Sequence, residues 1–250
     1  MQTLKDQRVV ITGGSRGIGL GIVEALAARG ANITVVARSP GPLAEAKQRL
    51  GVGVAPGDVT DPGVAERVLR EVAPTVLILN AGATQPMAPI HELSWEAFSR
   101  TWNTDVQAGL YWIQAAIRLP LARGSRVVIS SSGAAVNGSP MSGGYGGAKR
   151  MLWMMASYAN QVSDDLGLGI KFQVLVPRQI LGETQVGRAA AEAYAGKKGI
   201  TPEAFLAGFG APLTPRQIGE HVASLLTDAR HEAGVAFGVK GDLGLHPLDS

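Results

Sequence analysis

A single-domain α/β fold, doubly wound, with about seven parallel strands and helices on both faces, is what three observations predict for this 250-residue chain. Strand-like runs alternate with helix-like runs almost from end to end, which is how a parallel sheet with crossover helices is written. The strand runs are nearly continuous in apolar residues, as strands covered on both faces must be. Apolar residues make up 46% of the sequence, enough for a sizeable core and too many for wholesale disorder. The length suits one large domain, with no internal linker, repeat or low-complexity tract.

The elements follow in order. Strands are expected at about 7–12, 32–37, 52–55, 75–79, 125–131, 170–176 and 234–239. Helical periodicity fills the gaps at about 17–29, 41–50, 61–72, 92–120, 143–164 and 214–227. Two helical segments, Leu110–Ile117 and Met151–Ala156, are apolar on most faces and must be buried on more than one side. Either they form a deep core, or one face meets the sheet and the other a partner subunit. The second reading is preferred and predicts a homodimer or homotetramer through the helices around 105–120 and 143–164.

Bulk properties exclude several roles. The formal net charge is only +3 and no basic run occurs, so neither a nucleic-acid nor an anionic-membrane role has an electrostatic footprint. Apolar runs fall well short of the roughly 18 residues that span a bilayer. Lys5, Asp6 and Arg8 interrupt the start, against a signal peptide, and a cytoplasmic location is expected. Cysteine is absent, which removes disulfide and thiolate chemistry. His91, His221, His231 and His246 are scattered without ligand spacing, so no metal site is expected.

The first functional signal is Val9-Val10-Ile11-Thr12-Gly13-Gly14-Ser15-Arg16-Gly17-Ile18-Gly19. A short apolar run ends in glycines and a helix opens straight after, the local pattern of a phosphate-cradling turn. By itself the cluster is also compatible with a tight turn that binds nothing. A charge test sharpens it. An acid at the end of the second strand binds the ribose hydroxyls of NAD and repels a 2′-phosphate. This chain has Ala37 and then Arg38, with Arg16 inside the turn. Two guanidinium groups suit a phosphate, so NADP(H) is the expected cofactor.

The second signal lies after the fifth strand: Ser130-Ser131-Ser132-Gly133, then Tyr145-Gly146-Gly147-Ala148-Lys149. Residues four apart share a helix face. A tyrosine titrates at about 10, and a nearby ammonium stabilises its phenolate, which fits it for proton transfer beside a hydride carrier. A serine hydroxyl close by can hydrogen-bond the reacting oxygen.

Together these motifs resemble the classical short-chain dehydrogenase/reductase family, from Val9 to the last strand. Thr12–Gly19 resembles its glycine motif, Asp58-Val59 its adenine-contacting pair, and Asn80-Ala81-Gly82 the element after its fourth strand, here preceded by Leu79. Ser132 precedes Tyr145 by the usual interval, with Pro140 between them. The resemblance implies a Rossmann-like domain that transfers hydride between NADP(H) and a small carbonyl or alcohol substrate. It implies Tyr145 as general acid/base, Lys149 on the nicotinamide ribose and Ser132 orienting the substrate. It implies a cofactor site of Gly13, Ser15, Arg16, Gly17, Ile18, Gly19, Arg38, Asp58, Val59, Asn80, Ala81, Gly82, Tyr145, Lys149, Pro177 and Ile180.

Two positions depart from the family pattern. Asp105 stands where a catalytic Asn is usual, with Asn103 two residues early; Lys149 is its natural partner and retained activity is expected. Pro177-Arg178 replaces Pro-Gly, and Thr184 comes slightly late. Arg178 reads either as a surface residue on a remodelled loop or as an added cation near substrate or cofactor. The small, polar, glycine-bearing stretch at about 184–213 resembles the family's helical substrate lid. Ala134, Asn137 and Met141 read equally as pocket lining and as packing. The rival to an active enzyme is an NADP(H)-binding sensor or scaffold of the same fold with weakened or lost catalysis.

Overall fold

A computed structural model describes residues 3–248. Seven strands lie parallel: β1 (Arg8–Thr12), β2 (Asn32–Ala37), β3 (Gly53–Pro56), β4 (Val76–Leu79), β5 (Arg126–Ser130), β6 (Lys171–Pro177) and β7 (Ala236–Lys240). An eighth, β8 (Gly244–Pro247), runs antiparallel to β7 and closes the sheet order β3-β2-β1-β4-β5-β6-β7-β8. The helices are α1 (Gly17–Ala27), α2 (Pro40–Leu50), α3 (Pro62–Val72), α4 (Trp95–Ser99), α5 (Gln107–Arg118), α6 (Ala134–Asn137), α7 (Tyr145–Asp165), α8 (Gln185–Lys198), α9 (Pro202–Ala207) and α10 (Pro215–Thr227). The fold is a Rossmann-like α/β domain.

Successive strand side chains point to opposite faces, and both faces are buried here. Val10, Leu77, Val127 and Val174 pack with Trp112, Leu152 and Phe172 on one side. Val9, Ile11, Ile78 and Leu175 pack with Ile22, Leu26, Ile218 and Val222 on the other. That is why the strand sequences are apolar without alternation. Helix starts are marked by side-chain caps: Asp61 on α3, Ser94 on α4, and Thr214 on α10 in a reciprocal capping box with Gln217.

Two expectations are corrected. The single helix expected over 92–120 is broken into a short turn at Ile90–Glu92, α4, a π-turn at Trp102–Val106, and α5. The Gln107 N–H reaches back to the Trp102 carbonyl, which widens that turn. The last expected strand is followed by β8, so the sheet has one more strand than its parallel set.

The two all-round apolar segments divide their side chains between core and surface. Trp112 and Trp153 are buried. Leu110 on α5 is 42% exposed, and on α7 Met154, Tyr158 and Val162 are 39%, 52% and 39% exposed, so both helices present apolar groups outward. Among the described residues no helix is long and apolar enough to cross a membrane, and no group of His, Cys, Asp and Glu is placed to hold a metal.

Candidate active site

The chain leaves β1 towards β2 on one side and returns to β4 on the other. A crevice opens at the carboxyl ends of strands where the order reverses in this way. One cavity of about 1040 Å³ occupies it and extends to α8 and α9.

The floor is built by Thr12, whose role the motif alone did not specify. Its hydroxyl accepts the Asn80 N–H at 3.0 Å and the Ala81 N–H at 3.1 Å, tying the end of β1 to the segment after β4. Asn80 donates to the Gly13 carbonyl at 3.3 Å, and its Oδ1 accepts from Ser130 at 3.3 Å. Gly13 has φ +69°, and a Cβ there would lie 2.8 Å from the Ala81 backbone. Only glycine fits that approach.

Of the expected cofactor residues, the turn's Gly13, Ser15, Arg16, Gly17 and Ile18 line the cavity, as do Arg38, Asp58, Val59, Asn80, Ala81 and Gly82. Pro177 and Ile180 line it from the end of β6. Gly19, in the first turn of α1, lies buried behind the turn, where a Cβ would stand 2.1 Å from the Gly13 carbonyl, so its lack of a side chain lets α1 pack against the turn.

The donor set suits a dinucleotide. Arg16 occupies the N-cap of the eleven-residue α1 without capping it through its side chain, so the first-turn N–H groups remain for an anion. Arg38 lies 3.7 Å from Asp58, its side chain 69% exposed and that of Asp58 45%. An exposed pair of this kind is weak, which leaves the Arg38 guanidinium available. Asp58 is held below the usual carboxylate range, mainly by its hydrogen bonds from Thr60 and then by Arg38. The Trp112 indole N–H donates to the Val59 carbonyl at 3.1 Å and fixes that loop from the core.

At the other end of the cavity Tyr145 opens α7, and its start is pinned from the π-turn: the Trp102 indole donates to the Gly144 carbonyl at 3.0 Å. One turn on, Lys149 is buried, with Nζ 5.6 Å from the Tyr145 ring centroid and 2.9 Å from Asp105 Oδ2. The Ser130 carbonyl accepts from Nζ at 3.4 Å, and the Ser131 hydroxyl donates to the Lys149 carbonyl at 2.8 Å. Burial works to lower the Lys149 pKa, but the charges of Asp105 and Tyr145 outweigh it and hold it above the ordinary lysine value. Asp105 Oδ1 accepts the Ala83 N–H at 2.8 Å. Gly82 leaves room for this carboxylate, since a Cβ there would sit 2.7 Å from Oδ2. The π-turn thus aims Asp105 inward, while Asn103 is exposed and bonds Ser99 at 3.4 Å.

Ser132, Tyr145, Lys149 and Asp105 all line the one cavity that also holds the glycine turn. The Ser132 hydroxyl accepts from the Ala134 N–H at 3.2 Å, which leaves its own proton to give. Ala134 and Asn137 line the cavity; Met141 is buried outside its lining and packs. Arg178 lines the cavity, and its guanidinium donates towards His246 of β8 at 3.5 Å, beside Gly238 of β7. Thr184 caps α8 by accepting the Gly187 N–H at 2.9 Å, and its methyl lies 3.8 Å from the position a Gly17 Cβ would take. Gln179, buried, links Ala211 to Gly241 and so ties the end of the 184–213 segment to the β7–β8 turn. Thr12, Ser130, Tyr194, Phe205 and Phe209 are site-building residues that sequence reasoning did not single out. Only the first two had a signal, their place inside quoted motifs.

The sequence pattern described as "short chain dehydrogenase" matches residues 7–193. L-xylulose reductase from Homo sapiens is 35% identical over 123 residues, covering 48% of this chain and 50% of that protein. Galactitol 2-dehydrogenase from Rhizobium johnstonii is 34% identical over 152 residues, covering 56% and 55%. The chain thus spans about half the length of the curated relatives it matches. Among solved structures, a blue fluorescent protein from a metagenomic library in complex with NADPH aligns with TM-score 0.76 and 27% identity, over 96% of this chain and 98% of that one.

Proposed function

This chain belongs to the short chain dehydrogenase family, and from that premise we propose that it is an NADP(H)-dependent oxidoreductase interconverting a carbonyl and an alcohol, with Tyr145 as general acid/base. The observation that carries the reading is the placement of Tyr145 and the charged, buried Lys149 in the same cavity as the glycine turn. When bound, the dinucleotide supplies or accepts the hydride. Gly13, Ser15, Arg16, Gly17, Ile18 and Gly19 would cradle its pyrophosphate, and Arg16 and Arg38 would hold the 2′-phosphate. Asp58 and Val59 would meet the adenine, Lys149 the nicotinamide ribose and Pro177 and Ile180 the nicotinamide, with Asn80, Ala81, Gly82 and Tyr145 completing the site.

The protein's own part is proton transfer and orientation. In reduction the Tyr145 hydroxyl gives its proton to the carbonyl oxygen; in oxidation the phenolate takes it from the alcohol. Lys149 stabilises the phenolate form by its charge, and the Ser132 hydroxyl donates to the same substrate oxygen. Asp105 holds the ammonium from behind. The segment 184–213, with α8 and α9, acts as the substrate lid. NADPH oxidation over a panel of carbonyl compounds, run beside an NADPH binding titration, tests the reading. Binding with no turnover across the panel would favour a sensor or scaffold in which Asp105 has taken up Lys149.

The cofactor preference rests on Arg38. Arg38→Asp is expected to shift the NADPH-to-NADH ratio of kcat/KM towards NADH by about 10–100-fold, the loss of one charge-assisted bond plus a repulsion. Steady-state kinetics with both cofactors measures it, and an unchanged ratio would refute the phosphate clamp. We also propose a homodimer or homotetramer through the outward faces of α5 and α7. Sedimentation is expected to show that form, with Met154→Glu and Val162→Glu together yielding monomer.

A further inference from the structure

The far wall of the cavity is aromatic, and it comes from a part of the chain that the family match at residues 7–193 does not reach. Tyr194 on α8 stacks on Phe205 of α9, with ring centroids 5.7 Å apart and planes at 12°. Phe209, just past α9, meets Phe205 edge-on at 5.5 Å and 85°. Lys198, one turn after Tyr194, lies with Nζ 5.2 Å from the Phe205 ring centroid. All four side chains line the same cavity as Tyr145.

This wall is fastened in place. The Tyr194 hydroxyl and Ser139 Oγ are 2.8 Å apart, and the Met141 N–H donates to the same hydroxyl at 3.3 Å. Ser139 and Met141 belong to the segment between Ser132 and Tyr145. The latch therefore joins the lid to the loop that carries the reacting groups. It engages the polar end of Tyr194 and leaves its ring, with the two phenylalanines and the Lys198 ammonium over Phe205, as the surface that faces a ligand. A cluster of ring faces and edges complements another ring through offset-stacked and edge-to-face contact. A polyhydroxylated chain would find one donor there, the Lys198 ammonium, and none on the ring surfaces for the other hydroxyls it desolvates.

We propose that Tyr194, Phe205 and Phe209 form the substrate-recognition surface and select carbonyl compounds carrying an aryl group. This rests on the oxidoreductase reading above and names its substrate class.

The test compares acetophenone with dihydroxyacetone in NADPH-dependent reduction. The wild-type protein is expected to show a kcat/KM at least about tenfold higher for acetophenone, on the order of what one well-filled apolar subsite discriminates. Phe205→Ala and Phe209→Ala are each expected to lower it through KM at least about tenfold more than they lower the value for dihydroxyacetone. Preference for dihydroxyacetone, or equal losses on both substrates, overturns the proposal. Ligand-observed NMR of acetophenone with the NADP+-loaded protein reads the subsite without turnover. Acetophenone binding that weakens in Phe205→Ala, with no carbonyl reduced, would uphold the subsite while sinking the oxidoreductase reading. No acetophenone binding overturns the subsite.

Discussion

Tyr145→Phe is expected to lower kcat by about 10²–10⁴ while leaving NADPH affinity within about twofold, the signature of a lost general acid/base. The structure makes this substitution unusually clean. Among the described residues no protein group hydrogen-bonds the Tyr145 hydroxyl, so its removal strands no partner. The backbone N–H of residue 145 still reaches the Ser142 carbonyl at 3.1 Å, and Gly144 stays pinned by Trp102. A phenylalanine ring also keeps its face towards Lys149, 5.6 Å from Nζ. What disappears is the hydroxyl, and with it the side chain's one exchangeable proton in the cavity. Rapid mixing with a reducible ketone measures the chemical step, and fluorescence titration measures NADPH binding. Turnover at the wild-type rate in this variant would remove Tyr145 from the mechanism.

The strands and the glycine turn were legible in the sequence because their causes are local. Val9 to Ile11 must be apolar on both faces, and Gly13 must accept φ +69°. The four-residue spacing of Tyr145 and Lys149 is likewise a local fact of helix geometry. Asp105 was found by counting and paired with Lys149 by charge, and the structure brings their atoms to 2.9 Å. The π-turn that aims it was not legible. Apolar periodicity runs straight through Trp102–Val106, and only the tertiary demand for a carboxylate against Ala83 and Lys149 is visible at that point. β8 was missed because it is four residues long, holds a proline and lies at the sheet edge, where strand signals are weakest. The 184–213 segment reads as small and polar, since its three aromatics are spread over sixteen positions and meet only when α8 packs on α9. Arg178 kept two readings in the sequence. Its approach to His246 anchors it to the β7–β8 edge while it still borders the cavity.

Asp105→Ala is expected to destabilise the fold by about 3–5 kcal/mol, the usual cost of stranding one member of a buried ion pair. Both side chains are almost wholly buried, at 8% exposed for Lys149 and 0% for Asp105, so water does not replace the lost partner. The Ala83 N–H also loses its acceptor. Asp105→Asn retains an oxygen for that N–H and is expected to cost less, which separates the charge from the hydrogen bond. The pH dependence carries a definite sign. The folded Lys149 pKa is raised: burial, the largest single influence, lowers it, and Asp105 and Tyr145 together overcome that. A group with a raised folded pKa stabilises fully below its unfolded value, near 10.5 for lysine, and that stabilisation fades as pH climbs through the higher folded value. Without Asp105 burial is largely unopposed, so the variant's lysine sheds its proton more readily when folded and recovers stability as pH rises. The gap between wild type and Asp105→Ala is therefore expected to be flat through neutral pH and to narrow on the alkaline side. Denaturant unfolding at pH 7 and above pH 10 measures it. An equal gap at both would mean that the pair's charge is not what holds Lys149 beneath Tyr145.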